Sequence, residues 1–194
     1  MDKSVDVYFS ADIETDGAIP GYNSMLSFAL VLAGTFDGSK FERPKDYKIS
    51  LYKELKPISE EYDQAALEVN GFDRSKLIEN GQKPEVAMLE AYDWVQAVSG
   101  KGSPVFVAYP LSFDWSWMFW YFSRFCPKGS PFGHSRCFDI KTALSVKLGR
   151  SVSNSGRSNL PWRLQSSLSH SHNALDDAIE QAEIFANIFE WRSS

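Results

Sequence analysis

The stretch VDVYFSADIETDG, residues 5–17, places two acidic side chains inside a segment with the composition of a buried strand. Residues i and i+2 of a strand point to the same face, so Asp12 and Glu14 project together, about 5–7 Å apart. Two ionised carboxylates this close repel each other where water is scarce. A divalent cation with oxygen ligands would remove that repulsion. The pair therefore indicates a metal site, although this short motif alone leaves open a solvated pair of surface acids.

The composition indicates a globular chain that folds as a single domain, residues 1–194. Hydrophobic residues make up 43% and aromatic residues 14%, and the net charge is −5. These values argue against disorder and against nucleic-acid binding through charge alone. Cys126 and Cys137 lack metal-ligand spacing and are expected to be reduced thiols. The charged first residues do not resemble a signal peptide, and no apolar run reaches the roughly 18 residues of a membrane span, so a cytoplasmic protein without membrane association is expected.

Hydrophobic periodicity predicts a mixed α/β fold. Strands are expected at residues 5–14, 24–34, 45–55 and 103–110, and helices at 59–70, 83–98, 112–125, 140–149 and 172–191. The first three strands read as an antiparallel meander. The fourth is an unbroken apolar run, as in a parallel strand that is buried on both faces. This order predicts a mixed central sheet flanked by helices.

Two further acidic motifs follow along the chain. Asp114 comes just after the fourth strand, at the start of a helix, where it would also serve as an ordinary first-turn acid. In HSHNALDDAIEQA, residues 170–182, His172 precedes Asp177 by five residues. Asp177 lies one turn into the last helix, beside an apolar stripe that begins at Ala178, and should face the sheet. Dipole-favoured acids with an incidental histidine are the alternative for this segment.

Taken in chain order, these motifs resemble those of the DEDDh 3′–5′ exonucleases, which share a ribonuclease-H-like fold. The resemblance covers about residues 5–191, and the matching residues are Asp12, Glu14, Asp114, His172 and Asp177. It implies a metal-dependent enzyme that hydrolyses single-stranded DNA or RNA from the 3′ end and releases nucleoside 5′-monophosphates. The four carboxylates would hold two Mg²⁺ or Mn²⁺ ions, and His172 would act as the general base. A second histidine, His170, is an alternative for that role.

Several residues are candidates for substrate contacts. The resemblance implies a single-stranded 3′ end as substrate, and side chains after the first motif are candidates for stacking on its bases: Tyr22, Met25, Leu26 and Phe28. The backbone near the strand end is a candidate for contact with the terminal ribose, at Thr15 and Gly17. An ordinary strand core is the alternative for Met25, Leu26 and Phe28. Family members often have His-Asn after the second-motif strand, whereas this chain has Tyr109-Pro110, so Tyr109 is a further candidate contact.

A basic segment leads into the third motif. Residues 134–163 contain six basic residues and one acidic residue. Arg157 and Arg163 are therefore candidates for contacts to the nucleic-acid backbone, with residues 151–159 as a mobile clamp. A solvated face with a loop is the alternative.

Three further hypotheses come from the sequence. The helix DWSWMFWYFSRF, residues 114–125, has three tryptophans, which favours a self-association surface and a homodimer. A catalytically silent nucleic-acid-binding module and a phosphohydrolase of free nucleotides are the functional alternatives to the nuclease.

Overall fold

The computed structural model describes residues 5–191 and shows a mixed sheet with helices on both faces. The strands are β1 (Asp6–Thr15), β2 (Met25–Phe36), β3 (Phe41–Glu42), β4 (Ser50–Glu54), β5 (Ser103–Ala108) and β6 (Cys137–Asp139). The helices are α1 (Gln64–Asn70), α2 (Arg74–Asn80), α3 (Pro84–Ser99), α4 (Leu111–Phe125), α5 (Ile140–Leu148) and α6 (Ala174–Glu190). Among residues 5–191, no helix is both long enough and apolar enough to cross a lipid bilayer.

The sheet has the order β3-β2-β1-β5-β6, with β4 also paired to β2. Strand β1 pairs antiparallel with β2 and parallel with β5, so its backbone is hydrogen-bonded along both edges. The expected combination of an antiparallel meander with a parallel strand is confirmed, and the fold is the ribonuclease-H-like arrangement that the sequence predicts.

The two faces of the sheet carry separate hydrophobic cores. Val7, Phe9, Ala11 and Ile13 of β1 pack with α3 and α4, whereas Tyr8 packs on the opposite face with α5 and α6. Because side chains alternate along a strand, the even-numbered residues of β1 all face α6. The acids of the first motif therefore point toward the helix that carries the third motif.

The structure differs from the predicted elements in three additional short elements, in the start of helix α1, and in the strand predicted at residues 45–55, of which only Ser50–Glu54 (β4) is observed. Strands β3 and β6 and helix α2 are short, and none of them repeats a hydrophobic pattern long enough to be recognised. Helix α1 begins at Gln64 rather than near Ser59, because Asp63 caps it by accepting the Ala65 N–H at 2.9 Å. The Ser24 hydroxyl accepts the backbone N–H groups of Ile58 and Ser59, which holds the preceding segment outside the helix.

Candidate active site

The acids of the first and third motifs meet between the sheet and α6. One carboxylate oxygen from each of Asp12, Glu14 and Asp177 lies within 4.8 Å of the others. Asp12 and Glu14 are each 9% exposed, and Asp177 is fully buried. The Asn173 side chain caps α6 by accepting the N–H groups of Leu175 and Asp176, which fixes Asp177 in the first turn and turns it toward the sheet. The structure thus brings together side chains that are more than 160 positions apart in the sequence.

Asp114 joins this cluster from the opposite face of the sheet. It lies in the first turn of α4 and is 6% exposed. Its carboxylate does not cap α4 in the ordinary way. Instead, it lies within hydrogen-bonding reach of the backbone N–H groups of Ile13 and of Asp114 itself, near the carboxyl end of β1.

The bare cluster does not tolerate four negative charges. Burial raises the pKa of Glu14 to about 8, with added repulsion from Asp177 and Asp114. Burial raises the pKa of Asp114 to about 7, although backbone N–H groups and Arg157 oppose the shift. The pKa of Asp12 lies well above its usual range because of burial and of repulsion from the other three acids. The cluster therefore holds protons near neutral pH unless cations replace them.

Both candidate histidines lie at the entrance to this cluster. The Nδ1 atom of His170 is 3.0 Å from Oδ2 of Asp177, and the ring centroids of His170 and His172 are 4.6 Å apart. His172 has a φ of 57°, in the left-handed region, immediately before the cap of α6. Both imidazoles are thus placed beside Asp177, and the ion-pair contact to that acid is made by His170.

The positive charge of Arg157 acts on the acidic cluster, because it opposes the rise in the pKa of Asp12 and of Asp114. Its Nε donates to Glu180 at 3.1 Å, and one terminal nitrogen donates to the Tyr109 carbonyl at 2.9 Å. The guanidinium carbon lies 5.0 Å from the centre of the Tyr109 ring. The Tyr109 hydroxyl in turn donates to the Ser155 carbonyl at 2.8 Å. These bonds connect residues 151–159 to the end of β5.

Comparison with known proteins identifies the family. No family model matches the sequence. The chain is 36% identical over 196 residues to the 3′–5′ DNA exonuclease Cap18 of Escherichia coli, and the alignment covers 95% of this chain and 92% of that relative. The chain belongs to the DEDDh 3′–5′ exonucleases. It is therefore a hydrolase that acts on nucleic acids, in a family that depends on metal ions.

Solved structures share the fold of this DEDDh exonuclease. The nuclease domain of 3′hExo, a DEDDh family member bound to rAMP, superposes with a TM-score of 0.69 at 11% identity, over 96% of this chain and 92% of that one. Cell-death related nuclease 4 gives a TM-score of 0.62 at 16% identity, over 96% of this chain and 64% of that one. E. coli exonuclease I with a dT13 oligonucleotide gives 0.64 at 14% identity, and the match spans 41% of its length.

The structure corrects part of the expected substrate surface of this DEDDh exonuclease. Met25, Leu26 and Phe28 are fully buried and cannot stack on a base. The reason is that β2 is paired on one edge with β1 and on the other with β3 and β4, while helices cover both faces. Tyr109 is also buried, because its ring lies beneath Arg157, so a direct contact between its side chain and substrate is excluded in this arrangement.

Other candidate contacts remain accessible. Tyr22 is largely exposed and donates its hydroxyl to Glu61 at 3.1 Å. Arg163 is exposed, with its guanidinium carbon 5.1 Å from the centre of the Trp162 ring. The Thr15 hydroxyl donates to the Gly17 carbonyl at 2.7 Å, and a Cβ at Gly17 would lie 2.3 Å from the Asn23 side chain. The turn after Glu14 therefore requires glycine at this position and places main chain at the edge of the acidic cluster.

Gln181 is a site residue that the sequence reasoning missed. Its Nε2 donates to Oδ1 of Asp12 at 2.7 Å, and the side chain is fully buried. It lies one helical turn after Asp177, so the same periodicity that turns Asp177 toward the sheet would have identified it. The bond leaves the second oxygen of Asp12 facing the other acids.

Replacing Gln181 with methionine is expected to raise the metal concentration for half-maximal activity about tenfold, because partners that orient a metal ligand typically contribute 10- to 100-fold to affinity. Metal titrations of the initial rate measure the effect. Gln181→Glu is the matched comparison, and it should be worse, since it adds a fifth carboxylate to the cluster. Wild-type metal dependence in Gln181→Met would contradict the orienting role.

Proposed function

We propose that this DEDDh exonuclease degrades single-stranded DNA or RNA from the 3′ end with two bound Mg²⁺ or Mn²⁺ ions. The observation that carries the proposal is the buried cluster formed by Asp12, Glu14, Asp114 and Asp177, with three carboxylate oxygens within 4.8 Å. DNA is the favoured polymer, because the E. coli relative at 36% identity is named a DNA exonuclease.

The acidic side chains fit a pair of hard divalent cations. All four groups are carboxylates, the ligands that Mg²⁺ and Mn²⁺ prefer. Oδ2 of Asp177 is buried, and Nδ1 of the His170 ring lies 3.0 Å from it. The fully buried Asp16, by contrast, is paired with a permanently charged group, because its carboxylate lies 2.9 Å from Nε of Arg74. Asp12, Glu14 and Asp177 would hold one ion, and Asp114 together with Asp12 would hold the second.

When bound, such a metal pair supplies an acidified water and offsets the charge that develops on the phosphate. His172 takes a proton as general base, because its imidazole is exposed at the entrance to the site. His170 is held at Asp177 and Glu180, at 3.0 and 3.8 Å, which leaves His172 as the imidazole that faces the substrate.

Arg157 supports the recognition of an anionic polymer. Its second terminal nitrogen is buried without a hydrogen bond among the described residues, beside acids whose pKa values its charge lowers. We propose that the partly exposed guanidinium of Arg157 donates to a phosphate oxygen of the strand, and that the main chain at Thr15 and Gly17 contacts the terminal ribose. Tyr22 is the exposed aromatic residue nearest to this turn in sequence and is the remaining candidate for base stacking.

An end-labelled degradation assay tests the function. Matched 5′-labelled DNA and RNA single strands are incubated with Mg²⁺ or Mn²⁺, with and without a chelator. The proposal predicts a ladder that shortens from the 3′ end, a mononucleotide product, and no product with chelator. Binding of the strand without cleavage would favour the silent module. An intact strand with turnover of free nucleotides would favour the phosphohydrolase.

The two arginines are expected to respond differently to substitution. Arg157→Ala should raise KM about tenfold or more and also lower kcat, because it removes both a phosphate donor and the bonds that dock residues 151–159. Arg163→Ala should mainly reduce the salt dependence of strand binding, by about one unit of slope. Rates and affinities measured between 50 and 200 mM salt, about the range in which such contacts weaken, separate the two. An unchanged salt dependence in both variants would rule out contacts between the basic segment, residues 134–163, and the nucleic-acid backbone.

Self-association through α4 stays a hypothesis. Trp117 is fully buried, and Trp115 and Trp120 are partly buried against the core. Only parts of Trp115 and Trp120 are therefore accessible to a second copy of the chain. Phe113 is the largely exposed aromatic residue of this helix. Light scattering at increasing protein concentration tests the dimer, and Phe113→Ser should abolish it. A monomeric mass throughout would exclude it.

A further inference from the structure

The entrance to the active site contains a second set of possible metal ligands. One ligand atom from each of His170, His172 and Asp177 lies within 4.8 Å of the others. The two imidazoles are exposed, whereas the acid is fully buried. The chain has three histidines, and two of them are in this group.

The donor chemistry of this group differs from that of the acidic cluster. Two imidazoles and one carboxylate suit Zn²⁺ and similar transition metals, whereas sites made only of carboxylates suit Mg²⁺ and Mn²⁺. Three protein ligands with a fourth position open to water is a common arrangement for zinc. Tetrahedral zinc needs ligand atoms about 3.4 Å apart, given bonds of about 2.1 Å, so atoms that lie within 4.8 Å of one another have to close by at most about 1.4 Å.

Two independent observations support a site here. Nδ1 of His170 already lies 3.0 Å from the buried Oδ2 of Asp177, while Oδ1 of the same carboxylate accepts the Ser171 N–H at 2.8 Å. His172 adopts a φ of 57°, which is uncommon for residues other than glycine. In this conformation the centre of its ring lies 4.6 Å from the centre of the His170 ring. The segment before α6 thus places both rings beside one buried carboxylate.

Asp177 belongs to both sets of ligands. It lies within 4.8 Å of Asp12 and Glu14 on one side, and within 4.8 Å of the two histidines on the other. A metal held by the histidines would therefore take an oxygen ligand from the acidic cluster. It would also occupy His172, the general base of the proposed function.

We infer that His170, His172 and Asp177 form a Zn²⁺-class site, and that its occupancy inhibits hydrolysis supported by Mg²⁺. The inhibitory role rests on the proposed function, whereas the binding site does not. The inhibition requires no redox or covalent step. The zinc ion removes a proton acceptor and one ligand of the acidic cluster.

Cobalt spectroscopy tests the site independently of activity. Metal-free protein is titrated with Co²⁺ in excess Mg²⁺, because four-coordinate Co²⁺ with nitrogen ligands absorbs visible light strongly and octahedral Co²⁺ with oxygen ligands absorbs weakly. The wild type should develop the strong band and lose it when Zn²⁺ is added. His170→Gln should lose the band or weaken Zn²⁺ binding about 10- to 100-fold. His134→Gln, a histidine far from this segment in sequence, is the matched control and should behave as the wild type.

Inhibition is then measured as the Zn²⁺ concentration that halves each variant's own Mg²⁺-supported rate. His170→Gln should need about 10- to 100-fold more Zn²⁺ than the wild type and the His134→Gln control. Equal inhibition of all three would show that Zn²⁺ acts at the carboxylates and would overturn the inference, with the exonuclease function intact. A cobalt band in a wild type that has no Mg²⁺-dependent activity would instead refute the proposed function and leave the site.

Discussion

Asp12→Asn is expected to abolish hydrolysis while making the metal-free protein more stable. Asparagine keeps the Oδ1 acceptor that Gln181 contacts at 2.7 Å, so the local packing is retained. It removes the charge that burial and three neighbouring acids destabilise. The loss of activity should be about 1000-fold or more, because the residue is placed to hold both cations.

The gain in stability has a clear physical origin. The raised pKa of Asp12 means that folding at neutral pH requires either proton uptake or a buried, repelled charge, and the neutral amide avoids both. Urea unfolding in the presence of a chelator should show a gain of about 1–3 kcal/mol at pH 7. Asp176→Asn makes the same chemical change at an exposed position of the first turn of α6 and is the matched control. A less stable Asp12→Asn protein would contradict the electrostatic account, and retained activity would contradict the metal role.

Without metal, the stability of the wild type should fall as the pH rises from about 4.5 to about 8. Glu14 and Asp114 have folded-state pKa values near 8 and 7, above their unfolded values, so the folded chain binds more protons than the unfolded chain within this window. The free energy of unfolding therefore decreases with pH, by about 1.4 kcal/mol per pH unit for each proton held. Below the unfolded pKa values the full stability is present.

Divalent cations should reverse this loss. Mg²⁺ or Mn²⁺ offsets the same charges, so the metal-dependent rise in melting temperature should be small at pH 5 and large at pH 8. Thermal unfolding at several pH values, with chelator or with Mn²⁺, measures both slopes. In Asp12→Asn both slopes should become shallower. A chelated wild type whose stability is constant from pH 5 to pH 8 would show that these acids are not coupled in the way described.

The positions of the acids were predictable because each depends on local geometry. The spacing of Asp12 and Glu14 fixes a shared face on any strand, and a helix start with an apolar stripe fixes the direction of Asp177. The structure places one carboxylate oxygen from each of these three side chains within 4.8 Å of the others, with Asp114 close enough to raise the pKa of Asp12. Their catalytic roles remain proposals that the variants above test.

The missed features depend on contacts that are distant in sequence. Met25 and Phe28 look the same in sequence on an exposed face as on a covered one, and their packing with α3 and α4 in one hydrophobic core makes them inaccessible. The docking of Arg157 depends on Glu180 and on the Tyr109 carbonyl, 23 and 48 positions away. No local pattern predicts such bonds. Gln181 is different, because helical periodicity from Asp177 was sufficient to identify it.

The most direct test of the central claim is anomalous diffraction from crystals soaked in Mn²⁺. The account predicts manganese peaks in contact with carboxylate oxygens of Asp12, Glu14 and Asp177, and a further peak between Asp12 and Asp114. In Asp12→Asn crystals these peaks should be lost or strongly reduced. A wild-type map with no manganese among these side chains, from crystals of enzyme that is active with Mn²⁺, would contradict it.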